Sequence, residues 1–179
     1  MQYFIGISPP KSFSNRVSRF RKSWLNGQVE KAVEPHITLK AQGGLTPDES
    51  WFEDVRQACR KIEPFEVAIG NTAFFGEDVL YLEVDSSEIK KLHERLVKAI
   101  KPSEEMISQY FELDRFVPHL TLAKTSYGLS VQQLKEMAQL ASEELDICQF
   151  ELESIRIYQE NGNGRYRKYV DIPLGSHKS

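Results

Sequence analysis

The sequence predicts an α+β fold built twice over, and three observations predict it. The apolar residues switch repeatedly between a spacing of two and a helical spacing, the mark of short strands interleaved with helices. The pattern Pro-His-aliphatic-Thr-Leu occurs twice, with His36 and His119 83 residues apart in a chain of 179, a coincidence of roughly 10⁻⁴ per histidine by chance and therefore evidence of internal duplication. Finally, 40% hydrophobic, 27% charged and 11% aromatic residues suit one ordinary core. A single domain over residues 1–174 is expected, with 175–179 as a disordered tail.

Tyr3, Ile5 and Ile7 alternate as a first strand, which Pro9 and Pro10 end. A helix follows over 12–25, with Phe13, Val17, Phe20 and Trp24 on one side and Arg16, Arg19 and Lys22 on the other. The run Thr46-Pro47-Asp48-Glu49 has the hydroxyl, proline and acid of a capping box, so a second helix is expected from Thr46, burying Trp51, Phe52, Val55, Cys59 and Ile62. The runs 65–75 and 79–84 form a hairpin through Gly76-Glu77-Asp78. A third helix over 87–101 turns Ile89, Leu92, Leu96, Val97 and Ile100 inward, with His93 bordering that stripe as a partly buried surface residue. Residues 102–114 suit a short helix or an ordered loop equally. Ser130 and Gln133 open a fourth helix as a capping box, with Leu134, Met137, Ala141 and Leu145 buried. The chain closes on a long hairpin, 150–159 and 165–174, turned by Asn161-Gly162-Asn163-Gly164.

Composition excludes several classes. No apolar run approaches the roughly 18 residues that span a bilayer, and the N-terminus reads as a strand rather than a signal peptide, so a cytoplasmic protein without membrane contact is expected. Cys59 and Cys148 are too few for a disulfide framework or a cysteine-built zinc site. A net charge of −3 argues against coating DNA or long RNA. Charge is nevertheless uneven: residues 1–40 carry +5 and the remainder −8. Arg16, Arg19 and Lys22 on the first helix are a solvated face or a landing strip for a phosphodiester chain.

The duplicated motif carries the chemistry. Each copy follows a proline and reads as the start of a strand, where a period of two sets His36 and Thr38 on one face and Ile37 and Leu39 on the other; His119 and Thr121 repeat the arrangement. Two lobes related by a pseudo-two-fold bring the His-Thr pairs face to face across a groove. Opposed imidazoles suit proton transfer in both directions, one neutral to take a proton and one charged to give it. The threonine hydroxyls suit nonbridging phosphate oxygens. Neither motif has a second histidine or a carboxylate at ligand spacing, so no metal and no cofactor is expected.

These residues resemble the two-histidine (2H, LigT-like) phosphoesterase superfamily, whose pattern is a pair of His-x-Thr-hydrophobic motifs; His36-Ile37-Thr38-Leu39 and His119-Leu120-Thr121-Leu122 both match it, and the nearest likeness is to the bacterial YjcG-like branch. The resemblance implies a bilobal fold of duplicated β-α-β-α-β units, with antiparallel sheets lining a central groove and helices outside. It implies a phosphoesterase acting on a cyclic phosphate or a 2′–5′ phosphodiester of RNA or a nucleotide, with His36 as proton donor and His119 as proton acceptor. A non-catalytic module binding RNA ends or nucleotides is the alternative.

Around the motifs, strand parity puts Lys40 in phase with His36 and Thr38 as a candidate phosphate contact, and Lys124 out of phase with His119 and Thr121. Arg115 is within reach of the groove. Arg156, Tyr158, Arg165, Tyr166 and Arg167 are cross-strand pairs on a solvated hairpin, Tyr158 or Tyr166 being the aromatic candidates for stacking on a base. His177 carries no assignment.

Overall fold

The computed structural model describes residues 1–24 and 28–175. The expected end of the first helix at Leu25 and the tail with His177 lie outside the described residues. Among the described residues, eight strands, β1 (Tyr3–Ile7), β2 (Ile37–Lys40), β3 (Phe65–Phe75), β4 (Val79–Asp85), β5 (His119–Lys124), β6 (Cys148–Leu152), β7 (Ser154–Glu160) and β8 (Tyr166–Pro173), form one antiparallel sheet in the order β6-β3-β4-β5-β2-β1-β7-β8. The helices are α1 (Lys11–Lys22), α2 (Gln28–Ala32), α3 (Phe52–Cys59), α4 (Ile89–Ile100), α5 (Glu104–Gln109) and α6 (Val131–Glu144). They cover the outer face of a curled half-barrel.

The duplication is legible in that strand order. A pseudo-two-fold between β2 and β5 exchanges β1 with β4, β7 with β3 and β8 with β6. The two expected sheets thus join edge to edge at a single registered pair, Ile37 opposite Leu120. The units interleave: β1-α1-β2-α3-β3 sends its last strand to flank β4, and the second unit sends β7 back to flank β1.

The curl follows from one link. β6 and β7 are separated in sequence by Glu153 alone, yet six strand spacings part them in the sheet order. A flat sheet would place them about 29 Å apart, where the two steps from Leu152 to Ser154 span at most about 7 Å. The sheet therefore bends until its two ends meet. The run 150–159, expected as one strand, is for the same reason two strands belonging to opposite halves, and its inward residues change parity from Leu152 to Ile155.

Burial follows the amphipathic stripes. α1 buries Phe13, Val17 and Phe20; α4 buries Ile89, Leu92, Leu96 and Ile100; and α6 opens on the expected capping box at Ser130 and Gln133. The helix expected from Thr46 begins instead at Phe52. Asp48 accepts from the Thr46 hydroxyl and the Ser50 amide, and Glu49 sits at φ 56°, outside helical space. Its carboxylate is taken by the hydroxyls of Tyr3 at 2.6 Å and Tyr169 at 3.1 Å. Residues 102–114 resolve into α5, capped by the Ser103 hydroxyl, and a 3-10 turn over Leu113–Arg115.

Candidate active site

Both motifs lie at the middle of the sheet, against the pseudo-two-fold. Because Ile37 faces Leu120 on antiparallel strands, one step outward on either side sets His36 beside Thr121 and Thr38 beside His119. The four side chains share the groove face, while Ile37, Leu39, Leu120 and Leu122 are buried beneath the helices. Cross-strand neighbours lie about 4.5–5.5 Å apart at Cβ, so each histidine is paired across the strands with the threonine of the other motif.

Each ring is tethered in the same way. His36 Nδ1 donates to the Glu34 carbonyl at 2.9 Å, and His119 Nδ1 donates to the Val117 carbonyl at 2.8 Å, each bond reaching back over the motif proline. A carbonyl can only accept, so in the neutral ring the proton is on Nδ1 and the Nε2 lone pair is free. Aromatic walls hold both rings. Phe4 and Tyr158 stack on each other at 4.6 Å and lie 4.9 and 5.5 Å from His36; Phe75 and Tyr81 stack at 4.2 Å and lie 4.9 and 5.3 Å from His119.

Electrostatics favours neutral imidazoles. Burial, with Arg21, His119 and Lys124 as facing cations, pushes His36 down to about 4. Burial and Lys124 also lower His119, which has fewer cations facing it. Arg21 is a buried guanidinium on α1 that donates to the Thr121 carbonyl and pairs with Glu30 at 3.2 Å, so the first helix braces the second motif from beneath.

The two lysines exchange the places that strand parity predicts for them. Between Gly6–Thr38 and Ile5–Lys40, β2 advances two residues against one on β1, which makes Leu39 a bulge; between Tyr81–Thr121 and Leu80–Ala123, β5 does the same at Leu122. The bulges sit at matching places in the two motifs and reverse parity beyond them. Lys40 therefore turns inward, fully buried, with its ammonium 2.7 Å from Glu112 and donating to the carbonyls of Ala41 at 3.0 Å and Gly43 at 2.6 Å. It is committed to the protein rather than presented to a phosphate, which corrects the expectation from strand parity. Lys124 instead lines the groove, in a cleft of about 570 Å³ shared with Thr38 and His119.

Other expectations are corrected as well. His93 is buried, not superficial: Nδ1 donates to the Leu39 carbonyl at 2.6 Å, Nε2 accepts from the Leu113 amide at 2.8 Å, and the ring stacks on Phe116 at 3.9 Å. Arg156 is the expected cross-strand pair, opposite Asp171 at 2.7 Å and also bound to Glu34 at 2.6 Å, whereas Tyr158, a candidate for stacking on a base, is buried and donates to Glu34 at 2.9 Å rather than being presented to a ligand. Arg115 does reach the cleft, its guanidinium 4.9 Å from the Phe111 ring. Lys11, Arg16, Arg19 and Lys22 line a separate, open polar cleft at the start of α1, together with Glu30 and Glu34. Among the described residues, no three His, Cys, Asp or Glu side chains converge as a metal site, and no helix is long and apolar enough to cross a membrane.

Comparison with known proteins fits this geometry. The chain superposes over 99% of its length on the whole of TT0787 from Thermus thermophilus, with a TM-score of 0.70 at 17% identity. It superposes over 98% on 98% of E. coli LigT, with a TM-score of 0.58 at 14% identity for the form complexed with 3′-AMP and 0.57 at 14% for that complexed with NADP+. Among curated proteins, sequence comparison finds no match to this chain. The model of the 2′-5′ RNA ligase superfamily matches residues 9–164, a span holding both histidine motifs, the strands that join them and the helices outside, and the chain belongs to that superfamily.

Proposed function

We propose that the protein is a metal-independent phosphoesterase that opens a 2′,3′-cyclic phosphate or cleaves a 2′–5′ phosphodiester of a nucleotide or RNA end, with His36 and His119 as catalytic acid and base and Thr38 and Thr121 as phosphate donors. The observation that carries this reading is the matched tethering of two imidazoles, each with Nε2 free and each beside the other motif's threonine. E. coli LigT, of the same fold, has been crystallised with 3′-AMP, which supports a nucleotide as ligand. The matched motifs fit the YjcG-like branch of the superfamily.

In hydrolysis, one neutral imidazole takes a proton from water as its oxygen bonds to phosphorus. The other, charged, protonates the ribose oxygen as the P–O bond breaks. The threonine hydroxyls and the Lys124 ammonium meet the charge on the nonbridging oxygens. Both rings are lowered, His36 with the more cations facing it, so His119 is the more readily protonated of the two and is read as the donor and His36 as the base, the reverse of the order implied by the family resemblance. The roles exchange in the reverse direction.

The test is release of the monoester from adenosine 2′,3′-cyclic phosphate in the presence of EDTA. Turnover unaffected by the chelator is expected. Loss of activity restored by a divalent ion would reject the metal-free mechanism, and nucleotide binding without any turnover would favour a binding module.

A further inference from the structure

The cleft beside His119 is not explained by phosphate chemistry alone. Thr38, His119 and Lys124 line it, but much of its wall comes from the segment after α5, with Tyr110, Phe111, Glu112, Arg115 and Phe116. This segment is held in a costly conformation: Phe111 at φ 53° and Leu113 at φ 57° are both left-handed, a region that non-glycine residues seldom enter. Phe111 is 63% exposed despite its size. The Arg115 guanidinium sits over it, itself fixed by the Ser108 hydroxyl at 3.0 Å.

Two buried clamps maintain that shape, and both end on the first catalytic strand. Glu112, between the two strained residues, is pinned by Lys40, and the Leu113 amide is held by His93, whose other nitrogen donates to the Leu39 carbonyl. Glu112 Oε2 is buried and receives no well-formed hydrogen bond from the protein. Burial raises the Glu112 pKa against the pull of Lys40 and the nearby Ala41 amide. The wall thus combines an exposed aromatic face and a fixed guanidinium, held from beneath by the buried Lys40–Glu112 pair and opening onto the phosphate end of the groove.

We infer that this cleft is a nucleobase subsite: the base of the nucleotide whose phosphate lies between the histidines stacks on the face of Phe111 that Arg115 leaves open. A planar aromatic ligand fits because the wall offers a ring face rather than a round apolar hole, and the volume of about 570 Å³ accommodates a nucleoside. This inference rests on the reading of the groove as a phosphoesterase site for its orientation, but its test does not depend on turnover.

The experiment measures binding of adenosine 3′-monophosphate by calorimetry, and kinetics on adenosine 2′,3′-cyclic phosphate beside methyl riboside 2′,3′-cyclic phosphate, which lacks a base. Base–aromatic stacking leads us to expect that Phe111→Ala weakens 3′-monophosphate binding and raises KM for the adenosine substrate about ten-fold, with kcat little changed and the base-free substrate unaffected. Phe111→Leu, which keeps the apolar bulk at this exposed position and loses the ring face, should behave like Phe111→Ala. Turnover of neither substrate, with 3′-monophosphate binding still dependent on Phe111, would overturn the phosphoesterase reading and leave the subsite standing. Equal losses on both substrates, binding indifferent to Phe111, or no nucleotide binding at all would overturn the subsite.

Discussion

The two halves of the groove are built on one plan and furnished differently. Each has a proline, a histidine tethered through Nδ1 to the carbonyl two residues back, a threonine, and a bulge one residue further on. Beyond the bulges they diverge. Lys40 and Ala123 occupy matching inward positions, and Ala41 and Lys124 matching groove positions, so each half has one lysine but only the second half shows it to the groove. The aromatic walls also differ in origin. Opposite Thr121 stands Tyr81 on β4, whereas opposite Thr38 stands Gly6, with no side chain; the Tyr158 ring, supplied by β7, lies 3.3 Å from where a Gly6 Cβ would sit. Symmetry is kept in what aims the imidazoles and lost in what surrounds them. The second half is the more open to ligand.

The shared plan is tested by the histidines. His36→Ala and His119→Ala should each lower kcat by about 10²–10⁴, and the double variant should be little worse than either, since both act in one step. A single variant near the wild-type rate would break the equivalence of the two halves.

The divergence is tested by the lysines. Lys40→Met leaves Glu112 buried without its partner and should cost about 3–5 kcal/mol in denaturant unfolding. Pairing it with Glu112→Gln should recover part of that loss. Lys124→Ala should leave the unfolding midpoint nearly unchanged and lower kcat/KM about ten-fold, as for loss of one charged phosphate donor. The reverse pattern, a stable but inactive Lys40 variant, would restore strand parity and abolish the bulge argument.

A pH profile sharpens the comparison between the imidazoles. With His36 near 4 and His119 lowered, kcat/KM should be bell-shaped, with both limbs below the ordinary histidine value of about 6.5, and His36→Ala should remove the acid limb. Stability should share the sign. His36, His93 and His119 all have folded pKa values below the unfolded one, so the unfolded chain binds more protons as pH falls from about 6.5 towards about 4, and the melting temperature should decline across that window. A melting temperature flat from pH 7 to 4 would contradict the burial of these rings.

The smallest expected effect concerns His93. His93→Ala removes two hydrogen bonds and a stack between β2 and the cleft wall, and should cost about 1–3 kcal/mol of stability and raise KM for a nucleotide substrate. His93→Gln, able both to donate and to accept, should recover part of each. Full wild-type behaviour in the alanine variant would return His93 to the surface role that its position at the border of a helical stripe predicts.

What was legible in the sequence divides along similar lines. The hydrophobic period marks the strands and most helices, and the repeated Pro-His-x-Thr-Leu marks the centre of the sheet, because these depend on local spacing. The bulges at Leu39 and Leu122 carry no glycine or proline to announce them, so a strict period of two assigned the lysines to the wrong faces. The Thr46 start failed because the same hydroxyl and acid that cap a helix also close a turn, and tyrosines distant in sequence took Glu49. The division at Glu153 did leave a trace, the change of inward parity from Leu152 to Ile155. Phe111 and Glu112 left none, since their role depends on a clamp between residues about seventy positions apart.

The interleaving of strands bears on how the chain reaches its fold. β1 finds its outer neighbour only when β7 is made, more than 140 residues later. Such distant pairing raises contact order, and closure of so long a loop comes before most of its contacts can form. Neither half holds a complete set of its own strands, so folding during synthesis cannot proceed half by half. The first histidine would stay without Tyr158, half of its aromatic wall, until β7 arrives, so its side of the groove would be completed last.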